Sequence, residues 1–313
     1  MAASDVAQLL DDARSGDRAA LARLLSVVER GGDDARALAE RTHPLGGAAY
    51  TVGVTGAPGA GKSTLTNALL ARMRADDVRV AVLAIDPSSP FSGGAILGDR
   101  VRMQDHTEDP AVYIRSMATR GHLGGLSLAT RDAVRTLDAV GWPWILIETV
   151  GVGQVEVDVA AAADTTVVVV NPGWGDAVQA NKAGLLEIAD VFVINKADRP
   201  GASETRRDLD RMLDLSGREG WRPPIVDTVA AMGQGLDELW SAMAAHRDHL
   251  VGSGELEARR RARVADELMR IVAALLEERA RATGRDQLDE LAAAVAERSV
   301  DPWTAAERLL DGT

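Results

Sequence analysis

Nine consecutive residues, Gly56-Ala57-Pro58-Gly59-Ala60-Gly61-Lys62-Ser63-Thr64, bring three glycines, a lysine and two hydroxyls together. Their spacing is G-x-x-x-x-G-K-[ST], the phosphate-binding loop pattern, without a mismatch. Gly56, Gly59 and Gly61 permit backbone angles and close approaches that a Cβ would block. Successive backbone N–H groups can then point inward around phosphate oxygens. A helix that starts at the end of the loop adds unpaired N–H groups and the positive end of its dipole. Lys62 would reach the β- and γ-phosphates, Ser63 would hold Mg²⁺, and Thr64 lies near the α-phosphate. The expected ligand is a nucleoside triphosphate.

A second cluster chooses the base. Asn195-Lys196-Ala197-Asp198 follows the apolar run Val191-Phe192-Val193-Ile194. This is the N-K-x-D signature. The Asp198 carboxylate can accept two hydrogen bonds from the N1–H and N2–H₂ of guanine. Adenine would leave that carboxylate unpaired, and discrimination by an unmade hydrogen bond is strong. Lys196 is expected over the base plane, and Asn195 is expected to tie this turn to the phosphate loop. Val229-Ala230-Ala231, before Gly233-Gln234-Gly235, sits where a further base-side loop should fall. Val229 takes a place where many GTP-binding proteins have serine, yet the backbone N–H donor there is retained. GTP and GDP are therefore the expected nucleotides.

Three further stretches carry candidate chemistry. Glu148-Thr149-Val150-Gly151 follows Trp144-Ile145-Leu146-Ile147 and stands where a D-x-x-G element would, with glutamate for aspartate. Glu148 would reach the Mg²⁺ shell or its waters, and Gly151 would offer its N–H to the γ-phosphate. A water-orienting glutamine follows this glycine in Ras-like enzymes. Here Val152 has that place and Gln154 comes two residues later, so intrinsic hydrolysis is expected to be slow, below about 1 s⁻¹. The segment from Asp86 to Arg100 holds two prolines and three glycines. Its acids Asp86 and Asp99 are candidate Mg²⁺ or water-positioning groups, or else solvent-facing loop acids. Asn171-Pro172-Gly173-Trp174-Gly175-Asp176 continues to Gln179 and Lys182. It suits a partner-sensing loop through Trp174, Asp176, Gln179 and Lys182, and equally a packing tryptophan.

The elements that position these residues alternate. Apolar, β-branched runs at Tyr50–Thr55, Val78–Asp86, Ala111–Arg115, Trp144–Thr149, Thr165–Asn171, Val191–Asn195 and Ile225–Thr228 read as strands. Helical runs such as Gly125–Val140, Asp176–Ile188 and Ala202–Leu215 lie between them. Near-continuous apolar strands suggest burial on both faces, the habit of a parallel sheet. The expected fold is α/β, a doubly wound, mainly parallel sheet over residues 49–250, with its ligand crevice at the carboxyl ends of the strands. Residues 1–48 read as a helical extension, with Val6, Leu9, Leu10 and Ala13 on one face, Leu21, Leu24, Leu25 and Val28 on another, and Asp17 as a cap between. Residues 251–313 read as a helical arm. Leu256, Val264, Leu268, Ile271, Val272 and Leu275 form its first stripe, a second helix covers about 287–298, and Asp301-Pro302 opens a last one. The arm either packs on its own chain or joins a second copy.

Bulk properties narrow the field. The 313 residues are 46% hydrophobic and 26% charged but only 3% aromatic, so aliphatic side chains and alanine must fill the core. The net charge of −12 argues against nucleic acid as the main partner, because phosphate contacts need a basic face. The absence of cysteine excludes disulfides and thiolate metal sites. No run of 18 apolar residues suggests a membrane span, and the N-terminus lacks a basic leader. A cytoplasmic location is expected.

Together GAPGAGKST, DPSSPFSGGAILGDR, ETVGVGQVEVD and LLEIADVFVINKAD resemble the MeaB/ArgK family of methylmalonyl-CoA mutase-associated GTPases, relatives of the human methylmalonic aciduria type A protein. The likeness runs from about residue 50 to 240. It implies a homodimer joined by the C-terminal arm, and a G-protein chaperone of an adenosylcobalamin-dependent acyl-CoA mutase. GTP hydrolysis would gate cofactor loading and protect the mutase. It also implies Lys62 on the phosphates, with Ser63, Asp86, Asp99 and Glu148 around Mg²⁺ and the attacking water. The 175–182 stretch falls in the family's third switch loop. That loop commonly reads Gly-Thr-Gly-Asp-Asp/Glu-Leu-Gln, whereas this chain has Gly173-Trp174-Gly175-Asp176-Ala177-Val178-Gln179, which leaves the mutase's substrate open. Three rivals are a nickel-insertion GTPase, opposed by the missing cysteines and histidine cluster, a kinase of amino-acid transport, opposed by N-K-x-D, and a nucleotide-gated scaffold with little hydrolysis.

Overall fold

The computed structural model describes residues 3–86, 106, 108–118, 128–149, 161–173, 182–217, 220–282 and 285–311. Of Asp86 and Lys182 only the backbone is described. Two compact units divide the chain, one ending at Glu257 and the other covering Ala258–Thr313.

The first unit is built on seven strands: β1 (Tyr50–Gly56), β2 (Val80–Asp86), β3 (Val112–Ala118), β4 (Trp144–Thr149), β5 (Thr165–Val170), β6 (Val191–Asn195) and β7 (Ile225–Thr228). Their order across the sheet is β3-β2-β4-β1-β5-β6-β7, and every pairing is parallel. β1 therefore lies at the centre; the chain runs from it to β2 and β3 at one edge, returns to β4 beside β1, then crosses to β5, β6 and β7 on the other side. That makes the carboxyl end of β1 the switch point where such sheets open a crevice.

Alternation along each strand explains why the runs are apolar throughout. Val80 and Val82 enter the core on one face, with Val52, Val54, Leu146, Val167 and Val169. That face is closed by α4 (Lys62–Ala75) through Leu65, Leu69 and Met73, and by α8 (Leu236–Ser253) through Leu239 and Met243. The intervening Ala81, Leu83, Ile85, Ile145 and Ile147 point to the opposite face. The helices there are α5 (Leu128–Ala139) and the N-terminal α1 (Ala3–Arg14), α2 (Arg18–Arg30) and α3 (Gly32–Thr42). Further along that face, Val168, Val170, Phe192 and Ile194 pack against Leu209 and Leu213 of α7 (Ala202–Leu215). The short helix α6 (Lys182–Ile188) precedes β6.

The N-terminal helices are thus a layer of the sheet domain. Val6, Leu24, Leu25 and Leu38 are fully buried in the same core as Leu83 and Ile145. Polar contacts fasten them to the edge strand β3. Arg115 bonds Ser26 Oγ at 3.0 Å and pairs with Glu29, while Arg18 donates to the Asp109 carbonyl at 2.9 Å. Asp17 caps α2 as the sequence predicts, accepting from the N–H of Ala19 (2.7 Å) and Ala20 (3.1 Å).

A buried polar chain anchors α8 at the amino ends of the strands, opposite the crevice. Tyr50 Oη lies 2.6 Å from Thr165 Oγ1, which lies 2.8 Å from His246 Nδ1. His246 Nε2 faces the Asp190 carboxylate at 3.3 Å, and Asp190 accepts from the Thr166 N–H. Burial pushes the Tyr50 phenol up to about 12, partly offset by its bond to Thr165. His246 is sealed from solvent, so this chain is an internal brace.

The second unit contains most of α9 (Glu255–Ala282), then α10 (Arg285–Ala296) and α11 (Pro302–Asp311). Asp301 caps α11, accepting from the N–H groups of Trp303 and Thr304 and from the Thr304 hydroxyl. The stripe Val264, Leu268, Ile271, Val272 and Leu275 is exposed in the single chain.

Candidate functional site

The phosphate loop leaves the central strand and enters α4 within six residues. Its geometry requires glycine at two places in particular. A Cβ on Gly56 (φ 133°) would stand 2.0 Å from the Val169 carbonyl oxygen of β5. A Cβ on Gly61 (φ 90°) would stand 2.5 Å from Asn195 Nδ2. Gly61 holds the N-cap position of α4 in the left-handed conformation, without a side-chain cap. The first N–H groups of that helix are therefore available to an anion, as the loop pattern requires. Lys62 is buried, and its Nζ donates to the carbonyls of Gly56 (2.7 Å) and Ala57 (3.2 Å). The ammonium is held directly over the loop, while Pro58, Gly59 and Thr64 face solvent.

Two residues meet where the sequence places the expected metal. Ser63 Oγ donates to Glu148 Oε1 at 2.5 Å. Glu148 is the penultimate residue of β4, next to β1 and in register with Val54, and is 1% exposed. A buried carboxylate beside a hydroxyl is a hard oxygen pair at the start of a phosphate-facing helix, and both groups suit Mg²⁺. Asp86 ends β2, two residues beyond Ala84, which is in register with Glu148. Its backbone therefore belongs to the same carboxyl edge of the sheet. The hydroxyls of Thr149 and Thr55 stand 3.4 Å apart behind this edge.

The base side is more closely tied. Asn195 ends β6, and its Nδ2 donates to the Ala60 carbonyl at 2.9 Å, linking the N-K-x-D turn to the phosphate loop. Its Oδ1 accepts from Thr228 Oγ1 (3.1 Å) and from the Ala230 N–H (3.2 Å), linking the same turn to 229–231. Lys196 adopts φ 59°, unusual for a residue with a side chain, and its Nζ bonds the Gly59 carbonyl at 2.7 Å. Asp198 is exposed. Val229 and Gln234 form an isolated antiparallel bridge around the turn Ala230–Met232. Gly235 must lack a Cβ there, since one would meet the Asp227 carbonyl oxygen at 2.1 Å.

The structure thus gathers Gly56–Thr64, Glu148, Asn195–Asp198 and Val229–Ala231 at one edge of the sheet. Lys182 begins α6, after β5. Asp99, Gly151, Trp174, Asp176 and Gln179 lie outside the described residues. Thr228 and Gly235 join the site without having been singled out from sequence. Gly233-Gln234-Gly235 hinted at a tight turn there, but nothing local marks the Thr228 hydroxyl.

A seven-stranded parallel sheet with a phosphate loop on its central strand and N-K-x-D one strand beyond its neighbour defines a P-loop GTPase. Residues 21–285 match the family model described as methylmalonyl Co-A mutase-associated GTPase MeaB, and the chain belongs to that family. It is 50% identical over 308 residues to a Pyrococcus abyssi relative named among the GTPases, covering 97% of this chain and 95% of the other. The GTPase ArgK of Escherichia coli is 38% identical over 78% of this chain and 76% of its own. The mitochondrial methylmalonic aciduria type A homolog of Mus musculus is 37% identical over 78% of this chain and 64% of its own. Among solved structures, that of an LAO/AO transport system kinase superposes with a TM-score of 0.75 at 27% identity, covering 99% of this chain and 98% of that one. The chain is a GTP hydrolase of this family.

Proposed function

We propose that this GTPase is the chaperone and switch of an adenosylcobalamin-dependent acyl-CoA mutase, coupling GTP hydrolysis to cofactor loading and to protection of the mutase. The observation that carries the reading is the phosphate loop tied to the N-K-x-D turn on a chain whose family is named for mutase association. The name of the mouse relative points the same way. Lys62 holds charge over the γ-phosphate as it transfers, and the N–H groups at the start of α4 orient the phosphates. Ser63 and Glu148 would hold Mg²⁺, with Asp86 and Asp99 as further oxygen donors. Bound there, the ion would supply positive charge to offset the negative charge on the phosphate oxygens. Asp198 reads guanine, Gly151 senses the γ-phosphate, and Trp174, Asp176, Gln179 and Lys182 carry the partner's signal.

We assign the exposed stripe of α9 to a homodimer made through residues 251–313, because an apolar row of this length on a free surface marks an interaction site. No described helix is long and apolar enough to cross a membrane. Among the described residues no group of three or more His, Cys, Asp or Glu forms a metal cluster, which leaves nickel insertion without a described site. We place the protein in the cytoplasm.

The test is GTP turnover alone and with purified B12-dependent mutases. Slow turnover, rising at least about tenfold with one mutase in a shared complex, is expected. No stimulation and no complex with any such mutase would sink the assignment. Light scattering after Leu268→Glu should show a dimer becoming a monomer.

A further inference from the structure

We propose that Thr228 is a positioning residue for the guanine nucleotide, acting through Asn195 to make the base loop and the phosphate loop one receptor. The inference rests on reading 195–198 as the guanine motif, and is independent of any mutase. The Asn195 amide has a donor end and an acceptor end. The Ala60 carbonyl can only accept and the Ala230 N–H can only donate, so the amide has a single orientation: Nδ2 on Ala60 (2.9 Å) and Oδ1 toward Ala230 (3.2 Å). The Thr228 hydroxyl, 3.1 Å from Oδ1, must therefore be a donor. Thr228 is 1% exposed and ends β7 in register with Asn195, so the bond is shielded from water.

Thr228 also grips the turn by its main chain, since its carbonyl accepts from the Ala197 N–H at 3.0 Å. One residue thus holds Asn195 by its side chain and Ala197 by its backbone, and the next residue opens the base loop. Lys196, between these two contacts, keeps its left-handed φ of 59°. A backbone angle of that kind persists where neighbours over-determine it. Without the hydroxyl, Asn195 Oδ1 keeps one donor, and its rotation is less restrained about the contact to Ala60.

Thr228→Val preserves shape and strand preference while removing the donor. Release of labelled GDP is measured by stopped flow on the full chain. Loss of a shielded neutral hydrogen bond predicts release faster by about five- to tenfold. KM for GTP should rise while kcat holds within about twofold, and Thr228→Ser should restore both. In an Asn195→Ala background Thr228→Val should add nothing beyond about twofold, because its effect passes through that amide. Unchanged release, a full extra effect in that background, or failure of serine to rescue would each overturn the proposal. Thr228→Ala repeats the measurement if the valine variant fails to fold. Asp198→Asn separates the two layers of the argument. Unaltered preference for GTP over XTP in that variant refutes the guanine motif itself, whereas a switched preference beside an inert Thr228→Val refutes Thr228 alone.

Discussion

The half of the site proposed to read the base and the half proposed to hold the metal are built in different ways. On the base half, Asn195 joins the phosphate loop to the 229–231 turn, Lys196 adds a bond to Gly59, and Ala197 is tied to Thr228. On the metal half, Ser63 donates to Glu148. The first half is a woven set of backbone contacts, complete on the ends of three strands. The second sets a hydroxyl at the start of α4 against a carboxylate near the end of β4. Substitutions on the base half should therefore change how tightly and how selectively nucleotide is held. Those on the phosphate and metal half should change how fast it is hydrolysed.

Lys62→Ala tests this contrast with the largest expected effect. It removes the charge over the loop and should lower kcat by about 10²–10³-fold. Loss of GTP affinity alone, with kcat intact once saturated, would erase the distinction between the halves. Gly61→Ala strikes the seam between them. The new Cβ falls 2.5 Å from Asn195 Nδ2 at a φ of 90°, so either the loop or the amide must move. Strain of about 1–3 kcal/mol at such a residue predicts GTP binding weaker by about 10–100-fold, measured by calorimetry.

Asp109→Asn is the control, outside both halves, with the smallest effect. Arg74 donates to its carboxylate at 2.8 Å, and this bond holds the Asp109 carboxyl below its usual range, assisted by the Ala111 N–H. The contribution is present above the unfolded carboxylate value of about 4 and is lost as pH falls through the lower folded value. The variant should melt at most about 2–3 °C lower at pH 7, with the difference fading in acid, while GTP affinity stays put. A change in affinity would show that the edge of the sheet communicates with the site.

Much of this was legible in the sequence, for a local reason. The phosphate loop and N-K-x-D are contiguous motifs whose function depends on their own backbone. The strands were legible because both of their faces are covered, which makes Val167-Val168-Val169-Val170 apolar throughout. What escaped depends on partners distant in sequence. An amphipathic N-terminal helix announces a buried face without saying against what, and Val6 and Leu24 turn out to share a core with Ile145. A threonine at the end of a strand reads as ordinary β-branched filler. The Thr228 hydroxyl matters only because Asn195, 33 residues earlier, presents an acceptor to it.

The N-terminal layer has a consequence for the birth of the chain. Leu24 and Leu25 leave the ribosome early, yet Ile145 and Ile147, part of the same core, follow more than a hundred residues later. Until then α1–α3 have only one another, and an apolar side that belongs against the sheet stays wet. The domain must close over a long sequence separation, an ordering that slows folding and leaves the nascent chain sticky in the interval. A shortened version starting at Tyr50 would lack those helices and would leave the matching face of the sheet, with Leu83, Ile85 and Ile145, without part of its cover.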